Sequence, residues 1–280
     1  MSAAPTAIDV AAADGHRWSL LACVPQAARS ALLWLPALGV AARHYLPLAE
    51  ALSAHGVAVF VHEWRGNGSS QLRASREHDW GYRHLLCEDL PASHAALAAR
   101  SALPLAIGGH SLGGQLACCY AALHRQAFAQ LWLVASGTPY WRSFPAPRRY
   151  LLPLAYRLLP WLARRQGALH GRRLGFGGTE ARTLIDDWAR VGLSNRYAAS
   201  GLARDLEAAL AQLTAPVRGV LLHDDWMAPE SSLRAFLRKL SPCATDIRYL
   251  NASQLGTAAD HFAWMKRPQA VAAALAGAPG

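Results

Sequence analysis

One short segment has the residue types and spacing of a covalent catalyst: Gly109-His110-Ser111-Leu112-Gly113. A G-x-S-x-G element seats a nucleophile only where it joins a strand to a helix. Residues 104–111 read as a buried strand, and the residues after them to about 124 carry a helical pattern. A serine at that junction occupies a strained turn, and glycines two before and two after it let neighbouring backbones approach without meeting a Cβ. The helix start behind Ser111 favours negative charge developing beside it. The competing reading, a glycine-rich turn with an incidental serine, is disfavoured by this context and by the partners found further along.

A serine hydroxyl attacks only when a base takes its proton, and the base needs a carboxylate to hold its tautomer. Where the serine sits on such a junction, acid and base follow it in the chain. Of twelve histidines, His223 and His261 lie beyond the long interruption described below, and His223 stands within a strand end. His261, in a loop between the last predicted strand and the last predicted helix, is therefore the expected base. For the acid, Asp224 and Asp225 leave the carboxyl end of a buried-looking strand, the edge at which open α/β sheets carry their chemistry. Adjacent side chains there diverge, so one of the two faces His261. Asp225, four residues before Pro229, is preferred and Asp224 is the alternative, whereas Asp260 is badly placed to reach its neighbour's ring. An oxyanion needs two backbone N–H donors: Leu112, directly after the serine, and Leu38, in a loop where Gly39 allows a turn.

The elements that would position these groups alternate. Strand-like runs at 8–10, 18–24 and 31–35 precede a helical pattern at 44–54, a buried strand at 57–64 and a helix at 82–99. After the strand and helix around Ser111 comes a strand at 130–136. The pattern then breaks for about seventy residues rich in arginine, leucine and proline, with helical spacing and no convincing strand. A strand at 217–225, a helix at 230–239, a strand at 245–252 and a helix from about 268 close the chain. This alternation predicts an α/β fold with a mostly parallel sheet flanked by helices. Residues 1–138 and 215–280 form the core and 139–214 an insertion.

Composition narrows the possibilities. Apolar residues are 52% and charged residues 16% of the chain, enough to bury a large core and too few charges for disorder. No apolar run approaches the roughly 20 residues that span a bilayer. The first residues lack a basic region followed by an apolar core, so a cytoplasmic protein is expected. Five cysteines form an odd set with no C-x-x-C spacing, which indicates neither disulfides nor zinc. Cys118 and Cys119 read as small core residues on the helix after Ser111. No dinucleotide, haem or metal motif occurs, and no cofactor is expected; Gly175-Phe176-Gly177-Gly178 follows no strand and reads as a turn.

The net charge of +10 is concentrated: residues 141–210 hold twelve arginines against Glu180, Asp186, Asp187, Asp205 and Glu207. Residues 141–173 hold eight arginines and no acid, interleaved with Trp, Tyr, Phe and Leu. Such a segment can be a lid whose arginines are solvated, a surface for anionic membrane lipid or a handle for an anionic substrate group. Nucleic acid is not an expected partner, because no recognition motif accompanies the charge.

Taken together, five motifs resemble the α/β-hydrolase superfamily, and within it the serine aminopeptidase-like branch that includes monoacylglycerol lipases. They are LPALGVAARHYLPLAEAL at 35–52, HEWRGNGSS at 62–70, GGHSLGG at 108–114, DDWMAP at 224–229 and DHFAW at 260–264. The resemblance implies a triad of Ser111, Asp225 and His261, oxyanion donors at Leu38 and Leu112, and a helical cap formed by 139–214. It departs from the family at Pro36-Ala37, where His-Gly is usual, at Glu63, where Asp is usual, and at Asp260, where Gly is common. The expected activity is hydrolysis of a small-molecule carboxylic ester with an apolar acyl or alkyl group through an acyl-enzyme on Ser111. A thioesterase or small peptidase with the same triad, and a silent protein that binds a hydrophobic ligand, are the alternatives.

Overall fold

The chain folds around an eight-stranded sheet in which six neighbouring strands run parallel; the computed structural model describes residues 5–174, 177–240 and 242–277. Strands β1 (Thr6–Ala11) and β2 (Arg17–Cys23) form an antiparallel hairpin. There follow β3 (Ser30–Leu35), α1 (Leu46–Ala54) and β4 (Val57–Val61). The helix expected at 82–99 forms as α2 (Tyr82–His84), a π-helical turn over Leu85–Asp89, and α3 (Leu90–Ala98). Pro91, in the first turn of α3, has no N–H for the carbonyl four residues earlier, a physical reason for the wider turn just before it. Next come β5 (Leu105–His110), α4 (Leu112–Leu123) and β6 (Gln130–Val134).

The interruption contains α5 (Arg148–Gln166), β7 (Leu169–His170), β8 (Thr179–Glu180), α6 (Arg182–Ser194) and α7 (Leu206–Leu210). The antiparallel pair β7–β8 corrects the expectation of no strand there, since two-residue strands are too short to show a period of two. Of the expected glycine turn, Gly175 and Phe176 lie outside the described residues. The chain returns to the sheet with β9 (Val217–Leu222), α8 (Glu230–Leu237), β10 (Thr245–Leu250), the short α9 (Ala252–Leu255) and α10 (Gln269–Ala276).

The sheet order β1-β2-β4-β3-β5-β6-β9-β10 sets the ends of β3, β5, β9 and β10 at one carboxyl edge. On β3, Ala31, Leu33 and Leu35 enter one apolar cluster and Leu32 and Trp34 the other, which explains why the strand reads as an unbroken apolar run. Helices α3 and α4 pack into the first cluster, and α1 and α10 into the second. Two strands end earlier than their sequence suggests. Beyond Val61 the chain turns to place Glu63, whose carboxylate accepts from Ala42 and Ser69 N–H at 3.0 and 3.1 Å. Beyond Leu222 it turns so that Asp225 N–H donates to the Leu222 carbonyl at 3.1 Å.

A buried polar knot ties the β1–β2 turn to the chain beyond β4. Asp89, fully buried, accepts two bonds from Arg65 at 2.8 Å each and contacts His16 Nδ1 at 2.9 Å. His16 Nε2 reaches Ser70 Oγ at 2.9 Å, and Arg65 also donates to Asp14 at 2.6 Å. Although these contacts run Ser–His–Asp, Arg65 saturates the acid and all three side chains are enclosed, so the knot is structural. Asp89→Ala would leave the buried Arg65 guanidinium with Asp14 alone as its acidic partner and take the partner from His16 Nδ1, and is expected to lower the free energy of unfolding by about 3 kcal/mol in urea titrations.

Candidate active site

Ser111 stands between β5 and α4 with φ +55° and ψ −121°, a conformation that L side chains rarely adopt. The turn is held by a bond from the Ser136 hydroxyl to the Ser111 carbonyl at 2.7 Å and by Ser111 N–H to the Val134 carbonyl at 3.1 Å. Its glycines are required by contact: a Cβ on Gly113 would lie 2.1 Å from the Leu35 carbonyl oxygen, and one on Gly109 would lie 2.5 Å from the same atom. The elbow is thus wedged against the end of β3. As the first residue of α4, Leu112 has an N–H without an acceptor inside the helix.

The loop after β3 is fixed from three sides. The Trp64 indole donates to the Pro36 carbonyl at 2.8 Å, the Ala37 N–H donates to the Tyr45 hydroxyl at 2.9 Å, and Val40 N–H closes a turn onto the Ala37 carbonyl at 3.1 Å. Gly39 has φ +73°, and a Cβ there would lie 2.1 Å from the Gly178 nitrogen, so this loop meets the segment before β8 backbone to backbone. The Tyr45 hydroxyl, which accepts from Ala37 N–H, lies 2.8 Å from His110 Nδ1 and has its own proton left to donate to that nitrogen. Burial, reinforced by nearby His261, holds His110 well below the usual histidine range, so this ring stays neutral.

Asp225 and His261 come together: His261 Nδ1 lies 2.7 Å from Asp225 Oδ2, with both side chains buried. The other carboxylate oxygen accepts from Met227 and Ala228 N–H at 2.8 and 3.1 Å. Asp224 points elsewhere, to an exposed contact with His223 at 2.7 Å. Asp260 accepts from Phe262 and Ala263 N–H, capping the turn after His261. The His261 carbonyl is held by the Trp264 indole at 3.0 Å, and its ring packs on His110, the residue before Ser111, with centroids 4.7 Å apart.

Ser111, Leu112 and Leu38 line one cavity of about 240 Å³, near the lower end for small-molecule sites. Its other walls are mostly apolar, from Leu152, Tyr156 and Leu159 of α5, Trp188 of α6 and Met227 beside Asp225, with Gln115 and Thr138 as polar exceptions. A larger open groove at His124 and Arg125 lies beyond the far end of α4, away from Ser111. Among the described residues no group of three or more His, Cys, Asp or Glu side chains is placed to hold a metal ion. Cys118 and Cys119 are wholly buried, and burial raises both thiols well above their ordinary range.

Tyr45, Trp64 and His110 were not singled out from the sequence. His110 is the free position of the serine motif, and Tyr45 lies within an expected helical pattern, so neither carried a chemical signal of its own. Glu180 was counted only as a charge. It lies buried in a narrow gap beside Leu38 and Leu112, where burial raises its carboxyl to about 7, against the pull of Gly178 N–H and Arg172.

The sheet order, the strained serine turn and the loops at the carboxyl edge define an α/β hydrolase. Residues 26–252 match the family described as "Serine aminopeptidase, S33", and the chain belongs to that family. Similar solved structures include a hydrolase from Pseudomonas aeruginosa PA01, with 16% identity, TM-score 0.67 and 97% of each chain covered. The esterase domain of a Rhodothermus marinus protein has 15% identity and TM-score 0.61 over 97% of this chain and 95% of that one. A thioesterase domain from the curacin biosynthetic pathway has 15% identity and TM-score 0.58 over 97% and 98%. At these identities the likeness is one of fold. Among curated proteins no match to the chain is found.

The Glu180 carboxyl has a consequence for stability. The native group keeps its proton to about pH 7, whereas the unfolded chain releases it near the ordinary 4.5. Between those values the native state binds more protons, so stability falls as pH rises through this window. From pH 5 to pH 8 the wild type is expected to lose on the order of 3 kcal/mol relative to Glu180→Gln, measured by denaturation at each pH.

Proposed function

We propose that this protein is a serine hydrolase that cleaves a carboxylic ester bearing an apolar acyl or alkyl group, through an acyl-enzyme on Ser111. The observation that carries the reading is that Ser111 opens on an apolar cavity while an Asp225-held imidazole packs against the residue preceding it. In this reading His261 takes the Ser111 proton as the hydroxyl attacks the ester carbonyl. Asp225 holds the Nδ1–H tautomer and stabilises the imidazolium. The N–H groups of Leu38 and Leu112 receive the developing oxyanion. His261 then protonates the departing alcohol, and water activated by the same ring releases the acid.

Residues 139–214 act as a cap in this proposal, with α5 and α6 supplying the acyl-side wall. The neutral His110 fits the scheme, because a second cation beside His261 would oppose formation of the imidazolium. Thioester and amide turnover would use the same groups, and comparing ester, thioester and amide substrates of one acyl group separates the three.

A fluorophosphonate probe is expected to label the wild type at Ser111 and to leave Ser111→Ala and His261→Ala unlabelled. No labelling of the folded wild type would favour a silent binding protein. Across p-nitrophenyl esters, kcat/KM is expected to rise about fourfold per methylene until the chain outgrows the cavity. Tyr45→Phe leaves the Ala37 N–H unpaired next to the proposed donor Leu38. Its kcat is expected to fall about tenfold or more with KM little changed, in a protein whose melting confirms that it is folded.

A further inference from the structure

Helix α5 is apolar on two faces. Leu152, Tyr156 and Leu159 turn inward to the cavity, yet Tyr150, Leu151, Leu154, Leu158 and Trp161 are each 45–66% exposed. At 3.6 residues per turn these five fall within an arc of about 100° on the outer side of the helix. They are five of the nine large hydrophobic side chains exposed among the described residues. Two more, Trp226 and Phe262, adjoin Asp225 and His261 in sequence, and the Arg148 guanidinium lies 4.9 Å above the Trp226 ring. A contiguous exposed patch of this kind marks an interaction surface.

The charge around the patch selects the partner. Helix α5 carries Arg148, Arg149, Arg157, Arg164 and Arg165 and no acidic residue. Arg149 and Arg165 lie over Tyr150 and Trp161, with guanidinium-to-ring distances of 4.9 and 5.3 Å, so cations and aromatic rings form one layer. Arg164 is paired with Asp186 at 2.6 Å. Aromatic rings, leucines and arginines on one exposed helical face suit the boundary between lipid headgroups and acyl chains. No helix among the described residues is long and apolar enough to cross a membrane, so α5 would lie along a bilayer and not span it.

We infer that the outer face of α5 docks the protein onto an anionic lipid bilayer, with Leu151, Leu154, Leu158 and Trp161 entering the acyl boundary and the flanking arginines contacting anionic headgroups. The helix would then have lipid on one side and the cavity that holds Ser111 on the other. This surface stands apart from catalysis, since binding to vesicles needs no turnover.

The test is cosedimentation of Ser111→Ala, alongside the wild type, with vesicles of phosphatidylcholine alone or mixed with phosphatidylglycerol. Both proteins are expected to bind the mixed vesicles, to bind the neutral ones far more weakly, and to be released by salt. The triple variant Arg149→Gln, Arg157→Gln, Arg165→Gln is expected to lose on the order of a hundredfold in partitioning. The triple variant Leu151→Ser, Leu154→Ser, Leu158→Ser is expected to lose at least about tenfold. Both should keep the wild-type melting temperature and hydrolysis of a soluble p-nitrophenyl ester. Absence of binding at low salt, equal binding to neutral vesicles, or variants that bind like the wild type would overturn the inference. So would a dimer in sedimentation that the leucine variant dissolves without any vesicle binding, because a second copy would then cover the face. A wild type that hydrolyses the ester but does not bind vesicles counts against the docking surface alone, and vesicle binding by a wild type without turnover counts against the hydrolase reading alone.

Discussion

The geometry of the site depends on how closely two backbones pass one another at the carboxyl edge of the sheet. The Leu35 carbonyl lies where side chains at positions 109 and 113 would have to be, and glycine at both positions lets the start of α4 rest on the end of β3. Register joins in this, since β3 and β5 pair directly with Leu35 opposite Gly109. Because the elbow is pressed there, the loop carrying Leu38 and the first N–H of α4 share one cavity wall. The left-handed backbone of Ser111 carries a strain on the order of 1–3 kcal/mol. The Ser136 hydroxyl and the strand bond to Val134 restrain it.

Around this contact the buried polar groups are sorted by their partners. Asp225 has two backbone N–H donors on one oxygen and His261 on the other, so each oxygen of this buried carboxyl has a partner. Asp89 is partnered by the buried guanidinium of Arg65. Burial pushes two other groups toward their uncharged forms: His110 toward the neutral ring and Glu180 toward the neutral acid. One flanks the serine and the other lies behind the two proposed oxyanion donors, so the surroundings of Ser111 carry less fixed charge than the sequence suggests.

Most of the fold could be read in advance because both faces of the central strands are covered, which leaves continuous apolar runs with turn residues at their ends. The serine junction and the Asp224–Asp225 pair were equally visible, since each lies just past a strand, and His261 stood out as the histidine before the last helix. Choosing between the two aspartates needed three dimensions: Asp224 reaches solvent and His223, whereas Asp225 turns to His261. What stayed hidden was held by contacts between distant segments. Tyr45 acts on a loop eight residues earlier and on a ring sixty-five residues later, and no local pattern marks such a pairing. The β7–β8 pair was invisible for a different reason, being two residues long on each side.

The contact between Gly39 and Gly178 joins two parts of the chain that the sequence keeps far apart. With no side chain between them, the backbone of the β3 loop rests directly on that of the segment leading into β8. Lifting α5 and α6 away from the sheet would have to unmesh that seam. The wall that α5 and α6 give the pocket and the loop that carries Leu38 are therefore tied together at one backbone contact.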